Sequence, residues 1–253
     1  MVWGGRLERW PFRRRGWSLP YWLEPTITIV AFSCFILYSL WAVMQPTGQY
    51  ANYVSPYNSP PIGNWLHVPF PPALLVAWIP LFFRGTCYYY RREYYRGFGA
   101  NPFGCATPER PGRPYVGERR FPWVFNNSHR YWWYLAVLVL VYIWVDTIHA
   151  FFFPNGLGVG VGSLLILANA ILLALYTFSC HAFRHLAGGR MDCYGCPKAP
   201  QAQPAQYSLW RRISRMNRFH GHYAWASMAS VWLVDVYIRL LIAGVLPDLR
   251  LVK

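Results

Sequence analysis

The chain has 253 residues, of which 55% are hydrophobic, 19% aromatic and 13% charged, and its formal net charge is +15. Its apolar stretches are long enough to cross a hydrocarbon layer about 30 Å thick, which excludes a soluble globular domain and predicts a polytopic membrane protein. The positive charge lies in blocks between these stretches, so a nucleic-acid groove explains it poorly, and no nucleic-acid partner is expected.

The apolar stretches predict an all-α protein with five transmembrane helices, at residues 22–44, 70–90, 131–152, 163–185 and 223–246. The first stretch follows three consecutive arginines but has no small-residue cleavage site after it. We therefore expect it to be a retained helix rather than an export signal.

The Lys and Arg residues alternate between the connecting segments. Of the 24 in the chain, five lie in 1–20, seven in 91–120 and six in 190–218, while 45–68 and 154–162 have none. By the positive-inside rule, the N-terminus and both basic loops are cytoplasmic and the C-terminus is external. The basic loops can also bind anionic lipid headgroups or an acidic partner. The predicted organisation is a cytoplasmic basic segment (1–21), a transmembrane domain (22–246) and an external tail (247–253).

Four potential metal ligands lie near the cytoplasmic ends of four different predicted helices. Cys87 ends the second helix, His129 begins the third, Cys180 lies near the end of the fourth, and His220 precedes the fifth. At about 1.5 Å of rise per residue, their depths differ by only a few residues, so one small site could contact all four. In the fifth helix His222 is an alternative to His220.

Two thiolates and two imidazoles suit either tetrahedral zinc or an iron–sulfur cluster. A [2Fe–2S] centre with two neutral imidazoles carries less negative charge than a four-thiolate centre and has a higher reduction potential. Such a centre is easier to bury in a membrane and better matched to a quinone. A purely structural zinc is less expected, because a transmembrane bundle needs no metal to close its core.

Several segments around these ligands resemble the membrane anchor of actinobacterial-type (type F) succinate dehydrogenases. They are residues 83–91, 127–131, 176–181, Arg184 with His185, 188–190, and His220 ahead of 223–225, and the similarity extends to 248–250. The resemblance implies a five-helix anchor with an embedded Rieske-type [2Fe–2S] cluster, whose ligands by position would be Cys87, His129, Cys180 and His220.

The resemblance also implies partners and a location. The chain would be the quinone-side subunit of a succinate:quinone oxidoreductase in the bacterial cytoplasmic membrane, docked on its cytoplasmic face to a flavoprotein subunit and an iron–sulfur subunit. Because the sequence has no flavin-binding Gly motif and no Cys-rich ferredoxin pattern, succinate oxidation would occur on those partners. Electrons would then pass through the cluster to a quinone, either menaquinone or ubiquinone.

Polar and cationic residues near the ligands are candidates for binding the quinone headgroup. They are Arg84, Tyr88, Ser128, Arg130 and His181, all within about one helical turn of a ligand. An imidazole ligand whose outer nitrogen faces the headgroup could also pass it a proton. In the outer half of the bundle, Asp146 and Asp235 are candidates for a proton path, and the pairing of Asp235 with Arg239 along one helix face is an equally good structural explanation.

Three alternatives stay open at this stage. A haem b could be held by two of His129, His181, His185, His220 and His222, although it would leave Cys87 and Cys180 without a role. A non-redox anchor or transporter is less expected, because the central parts of the third and fourth helices are almost wholly apolar. Finally, Cys193 and Cys196, with Cys105 as a third residue, could bind a metal or form a redox pair, but a lone CxxC is more simply a pair of reduced thiols.

Overall fold

The computed structural model describes residues 20, 22–45, 48–59, 73–98, 119, 121–154, 156–189 and 204–252. The helices among them are α1 (Leu23–Met44), α2 (Leu74–Gly85), α3 (Tyr88–Gly97), α4 (His129–His149), α5 (Val161–Phe178), α6 (His181–Ala187), α7 (Pro204–Asn217) and α8 (His220–Ile242). A short 3-10 helix, Trp123–Ser128, leads directly into α4. The predicted all-α class is therefore confirmed.

Four of the described helices are long and apolar enough to cross a membrane: α1, α4 with its 3-10 extension, α5 and α8. Each is hydrophobic on nearly all sides, and apolar residues such as Leu37, Leu138 and Val141 are exposed on the outside of the bundle, as expected for helices in lipid. Helix α2 is apolar but has only 12 residues, fewer than the roughly 20 that a span requires. The fifth predicted span thus stays a prediction.

The structure corrects two of the predicted helices, 70–90 and 163–185, because each is interrupted near its end. The backbone is extended at Cys87 (φ −62°, ψ 130°) and at Cys180 (φ −63°, ψ 145°), so α2 ends at Gly85 and α5 at Phe178. The shorter helices α3 and α6 begin directly after these cysteines. Hydropathy does not predict either break, because it does not report backbone conformation.

Short antiparallel strand pairs connect the helices at one end of the bundle. They are β1 (Gln49–Tyr50) with β2 (Tyr53–Val54), β3 (Phe152–Phe153) with β4 (Gly156–Leu157), and β5 (Val159–Gly160) with β6 (Arg250–Val252). We call this the strand end. At the opposite end, which we call the ligand end, α2 and α5 finish while α4 and α8 begin.

Helix α8 packs most extensively against α5, and α4 lies against both α2 and α5. Helix α1 contacts α3 closely but α2 only lightly, which leaves space between α1 and α2. One buried cluster, including Phe83, Tyr176 and Met228, fills the ligand end, and a second, including Tyr53 and Ile238, fills the strand end. The packing therefore fixes the four helix ends that carry the predicted ligands.

Candidate metal centre and adjoining cavity

Both cysteines occupy the same structural position, the N-cap of a short helix that follows a long one. The Cys87 carbonyl oxygen accepts a hydrogen bond from the Arg91 backbone N–H at 2.8 Å, and the Cys180 carbonyl accepts one from Arg184 at 3.0 Å. The free N–H groups and the helix dipole at an N-terminus favour negative charge. Both thiols are buried inside the bundle.

Both histidines are the first residues of the helices that leave the ligand end. His220 begins α8 and is buried with 7% exposure, whereas His222 is exposed and lies beside the Phe219 ring. His129 begins α4, and its ring stacks on Phe83 with centroids 5.0 Å apart. Of the two candidates in the last helix, only His220 therefore points into the bundle.

The four predicted ligands lie together as two thiol–imidazole pairs. The Cys180 sulfur is 3.0 Å from Nε2 of His129, and the Cys87 sulfur is 3.4 Å from Nε2 of His220. The pairs are neighbours, since Cys87 and Cys180 belong to the same buried cluster. Within the described ranges, no three His, Cys, Asp or Glu side chains are grouped as for a single metal ion. The four donors come together as two contacting thiol–imidazole pairs.

The second nitrogen of each imidazole contacts a hydroxyl group. Nδ1 of His129 is 3.0 Å from the Thr86 hydroxyl, and Nδ1 of His220 is 2.8 Å from the Ser179 hydroxyl. This corrects the expectation that an outer imidazole nitrogen faces a quinone headgroup, because both are already engaged by the protein. Sequence reasoning missed Thr86 and Ser179, although each directly precedes a cysteine and that repeated hydroxyl–Cys dipeptide was a usable signal.

Arg84 is the predicted quinone-binding residue that lies inside the bundle. Its guanidinium donates to the Tyr90 hydroxyl at 2.6 Å, to the Ser227 hydroxyl at 3.0 Å and to the Ala224 carbonyl at 3.3 Å. It also lies 4.8 Å from the centroid of the Tyr176 ring. No carboxylate forms an ion pair with Arg84 among the described residues. Within the described part of the chain, this half-buried positive charge is therefore held by neutral groups.

A cavity of about 510 Å³ adjoins Arg84 in the space between α1 and α2. Its walls are mainly apolar, with Phe32, Phe35 and Val231 among them, and Arg84 is the charged residue that lines it. Towards the strand end it reaches Ser39 and Tyr57, whose hydroxyls are 2.9 Å apart. Burial raises the pKa of Tyr57, which lies in the segment after β2, to about 12, so this phenol stays neutral.

The other predicted headgroup contacts do not line this cavity. Tyr88 is 69% exposed, and Arg130 contacts the His185 ring at the surface. The Ser128 hydroxyl donates to the Phe125 carbonyl and accepts from Trp132, and His181 is exposed at the start of α6. The structure thus brings Arg84, but not these four residues, next to the cavity.

The two carboxylates considered for a proton path have different surroundings. Asp235 is fully buried at the strand end, where it pairs with Arg239 at 2.7 Å and accepts hydrogen bonds from Tyr38 and Ser55. Oδ2 of Asp146 is buried without a hydrogen-bond partner among the described residues. Cys193, Cys196 and Cys105 lie outside the described residues. The proton path stays a prediction.

Comparison with known proteins decides the family. The model of the family described as actinobacterial succinate dehydrogenase subunit SdhC matches residues 23–244. The chain belongs to this family. A chain of a solved structure, the Mycobacterium smegmatis Sdh1 complex in the apo form, is 33% identical with a TM-score of 0.81, and the match covers 98% of each chain. No curated protein matched the sequence.

Membership of the SdhC family confirms the predicted class of protein. The chain is a multi-pass membrane subunit of an actinobacterial succinate dehydrogenase, located in the bacterial cytoplasmic membrane. This agrees with the predicted partners, the flavoprotein and iron–sulfur subunits of the complex. Membership of a succinate dehydrogenase subunit family argues against a transporter, while the electron relay through this anchor stays a prediction.

Proposed function

We propose that this subunit relays electrons from the iron–sulfur partner subunit to a membrane quinone through a Rieske-type [2Fe–2S] cluster. The cluster would be held by Cys87, His129, Cys180 and His220. The observation that carries the proposal is the convergence of these four side chains, from four separate helix ends, as two buried thiol–imidazole pairs.

The donor set of two thiols and two imidazoles is the one that a Rieske-type centre requires, with two cysteines on one iron and two histidines on the other. A structural zinc takes four ligands around one metal, and a transmembrane bundle needs no such metal to close its core. Both cysteines lie at helix N-termini, and both imidazoles direct Nε2 at a sulfur. A bound cluster would supply one-electron transfer.

We further propose that the quinone, menaquinone or ubiquinone, binds with its headgroup near Arg84 and its isoprenoid tail in the cavity between α1 and α2. A guanidinium has five N–H donors, and Arg84 directs three hydrogen bonds to protein groups. The remaining donors can hydrogen-bond a quinone carbonyl oxygen and stabilise the negative charge that reduction places on it. The apolar walls suit the tail and exclude water.

Haem b receives less support. Two histidines that ligate one haem must face each other across the porphyrin, and His129 and His220 instead face thiols. The His129 ring is stacked on Phe83, and the His220 ring on Tyr176 with centroids 4.9 Å apart. The remaining candidates, His181 and His222, are exposed, and His185 contacts Arg130 at the surface.

The test uses the complete succinate dehydrogenase complex carrying His129→Ala with His220→Ala. We expect loss of the Rieske-type paramagnetic signal and of quinone reduction, while succinate oxidation by an artificial soluble acceptor persists on the partner subunits. His222→Ala is the matched control for the histidines and Cys34→Ala, an exposed thiol in α1, is the control for the cysteines.

The proposal is wrong if the purified wild-type complex contains no more iron than its soluble subunits require. A visible spectrum with a Soret band would instead establish haem. If His222→Ala alone abolishes the paramagnetic signal, the ligand in α8 is His222 and the cluster itself stands.

A further inference from the structure

Each ligand imidazole contacts one cysteine through Nε2 and, through Nδ1, the residue that precedes the other cysteine. The Nε2 atom of His129 contacts Cys180, while its Nδ1 atom contacts Thr86, the residue before Cys87. The Nε2 atom of His220 contacts Cys87, while its Nδ1 atom contacts Ser179, the residue before Cys180. Each histidine is thus bound to both cysteine-bearing helix breaks.

The hydrogen-bond directions determine the protonation of both rings. The Thr86 hydroxyl donates its proton to the Phe82 carbonyl at 2.6 Å, so towards His129 it acts as an acceptor. The Ser179 hydroxyl donates to the Tyr176 carbonyl at 3.3 Å and likewise accepts from His220. These donor directions favour the tautomer of both imidazoles with the proton on Nδ1, which leaves the lone pair on Nε2 facing a sulfur.

We propose that Thr86 and Ser179 are positioning residues for the metal centre: they fix both histidines in the tautomer with a free Nε2 and strengthen its donation to iron. A hydrogen-bond acceptor behind a ligating imidazole fixes the ring and raises its basicity. This inference rests on the proposed function, because it concerns the ligands of the proposed cluster.

The same contacts determine what a quinone can reach. In the tautomer with Nδ1–H, the outer nitrogen of each imidazole already donates to a protein hydroxyl, and those hydroxyls in turn donate to backbone carbonyls. A quinone headgroup would have to break these bonds to contact a ligand histidine. The headgroup is therefore recognised by other donors, in agreement with Arg84 at the end of the cavity.

The test compares Thr86→Val, which keeps the shape but removes the hydroxyl, with Thr86→Ser, which restores the hydroxyl, in the complete complex. Ser179→Ala tests the second contact, and Thr177→Val, a buried substitution of the same type in α5, is the control. The measurements are iron content, the midpoint potential of the paramagnetic centre, and the hyperfine coupling of ¹⁵N-labelled histidine.

We expect Thr86→Val and Ser179→Ala to raise the midpoint potential and change the histidine coupling, because a less basic imidazole stabilises the oxidised cluster less. Thr86→Ser and Thr177→Val should match the wild type. Loss of the cluster in Thr86→Val with retention in Thr86→Ser would also support the role of the hydroxyl.

Wild-type potential and coupling in both Thr86→Val and Ser179→Ala would overturn the inference while leaving the proposed function intact. Loss of the cluster in Thr86→Val and Thr86→Ser alike would also overturn it, since packing rather than hydrogen bonding would then matter. A wild-type complex without the extra cluster would overturn the proposed function first, and this inference with it.

Discussion

Arg84 is a half-buried cation at the cavity wall whose described partners are all neutral, and this makes it the residue most suited to bind a polar headgroup. Its hydrogen bonds go to two hydroxyls and one carbonyl, and its face lies against aromatic rings. A charge in a low-dielectric region is costly even with such partners. Packing alone therefore does not explain why an arginine occupies this position. A headgroup that develops negative charge supplies a functional reason.

We expect Arg84→Leu to raise the quinone KM about tenfold or more, because a hydrogen bond to a charged group contributes about 1.5–3 kcal/mol and tenfold corresponds to about 1.4 kcal/mol. The paramagnetic signal should change much less than the KM. Steady-state kinetics with a soluble quinone analogue measure the effect, and Arg130→Leu, at the surface, is the matched control.

The competing location for the quinone is the strand end, near Asp146. Unchanged quinone kinetics in Arg84→Leu, together with their loss in Asp146→Asn, would support that location and contradict ours.

At the scale of elements, Asp235 joins three parts of the fold. It lies on α8, and its carboxylate accepts hydrogen bonds from Tyr38 on α1 and from Ser55 after β2, while Arg239 completes an ion pair on the same helix. Arg239 also donates to the Ala42 carbonyl at 3.2 Å, near the end of α1. The ion pair between Asp235 and Arg239 therefore connects the last turns of α1 to α8.

We expect Asp235→Ala to destabilise the complex by about 3–5 kcal/mol, because removing one partner leaves a buried charge unpaired. Asp146→Asn should be close to neutral, because Oδ2 of Asp146 has no described partner to lose. Thermal unfolding in detergent measures both. If both variants instead lose quinone reduction at wild-type stability, the two carboxylates form a proton path.

How far the sequence predicts these elements depends on the kind of signal. Hydropathy located the long helices, because a helix in contact with lipid must be apolar along most of its length. It could not locate the breaks at Cys87 and Cys180, because these depend on backbone conformation and on capping by N–H groups of the next helix. The hydroxyl–Cys dipeptides are visible in the sequence, but only the folded helix ends show that Thr86 and Ser179 contact the histidines.

At the scale of the whole molecule, the fold repeats one arrangement. An incoming helix ends at a hydroxyl–Cys dipeptide, a short helix follows, and a later outgoing helix begins with a histidine; this describes α2, α3 and α4, and again α5, α6 and α8. The arrangement is not a repeat in the sequence, because the number of residues between the cysteine and the later histidine differs in the two cases. The function of the site therefore depends on all four helix ends sharing one side of the membrane.

That dependence makes membrane topology the decisive property of the whole chain. The ligand end is flanked by the basic segments 91–120 and 190–218, and the strand end by 45–68 and 154–162, which have no Lys or Arg. The positive-inside rule then predicts that the ligand end faces the cytoplasm, where the soluble subunits could deliver electrons. Strand β6 pairs with β5 at the strand end, so the C-terminus is expected outside.

Reporter fusions in the cell test this topology. We expect cytoplasmic signals from fusions after residue 20, within 98–118 and within 197–207, and external signals from fusions within 48–60 and after Lys253. The internal pair serves as its own control, because 48–60 precedes α2 and 98–118 follows α3, so the two segments lie on either side of the second predicted span. If they report the same side, α2 does not cross the membrane and the fifth predicted span is wrong. If the C-terminus is cytoplasmic, α8 runs the other way and His220 begins on the side away from the docked subunits, which would contradict the electron path from them to the four ligands.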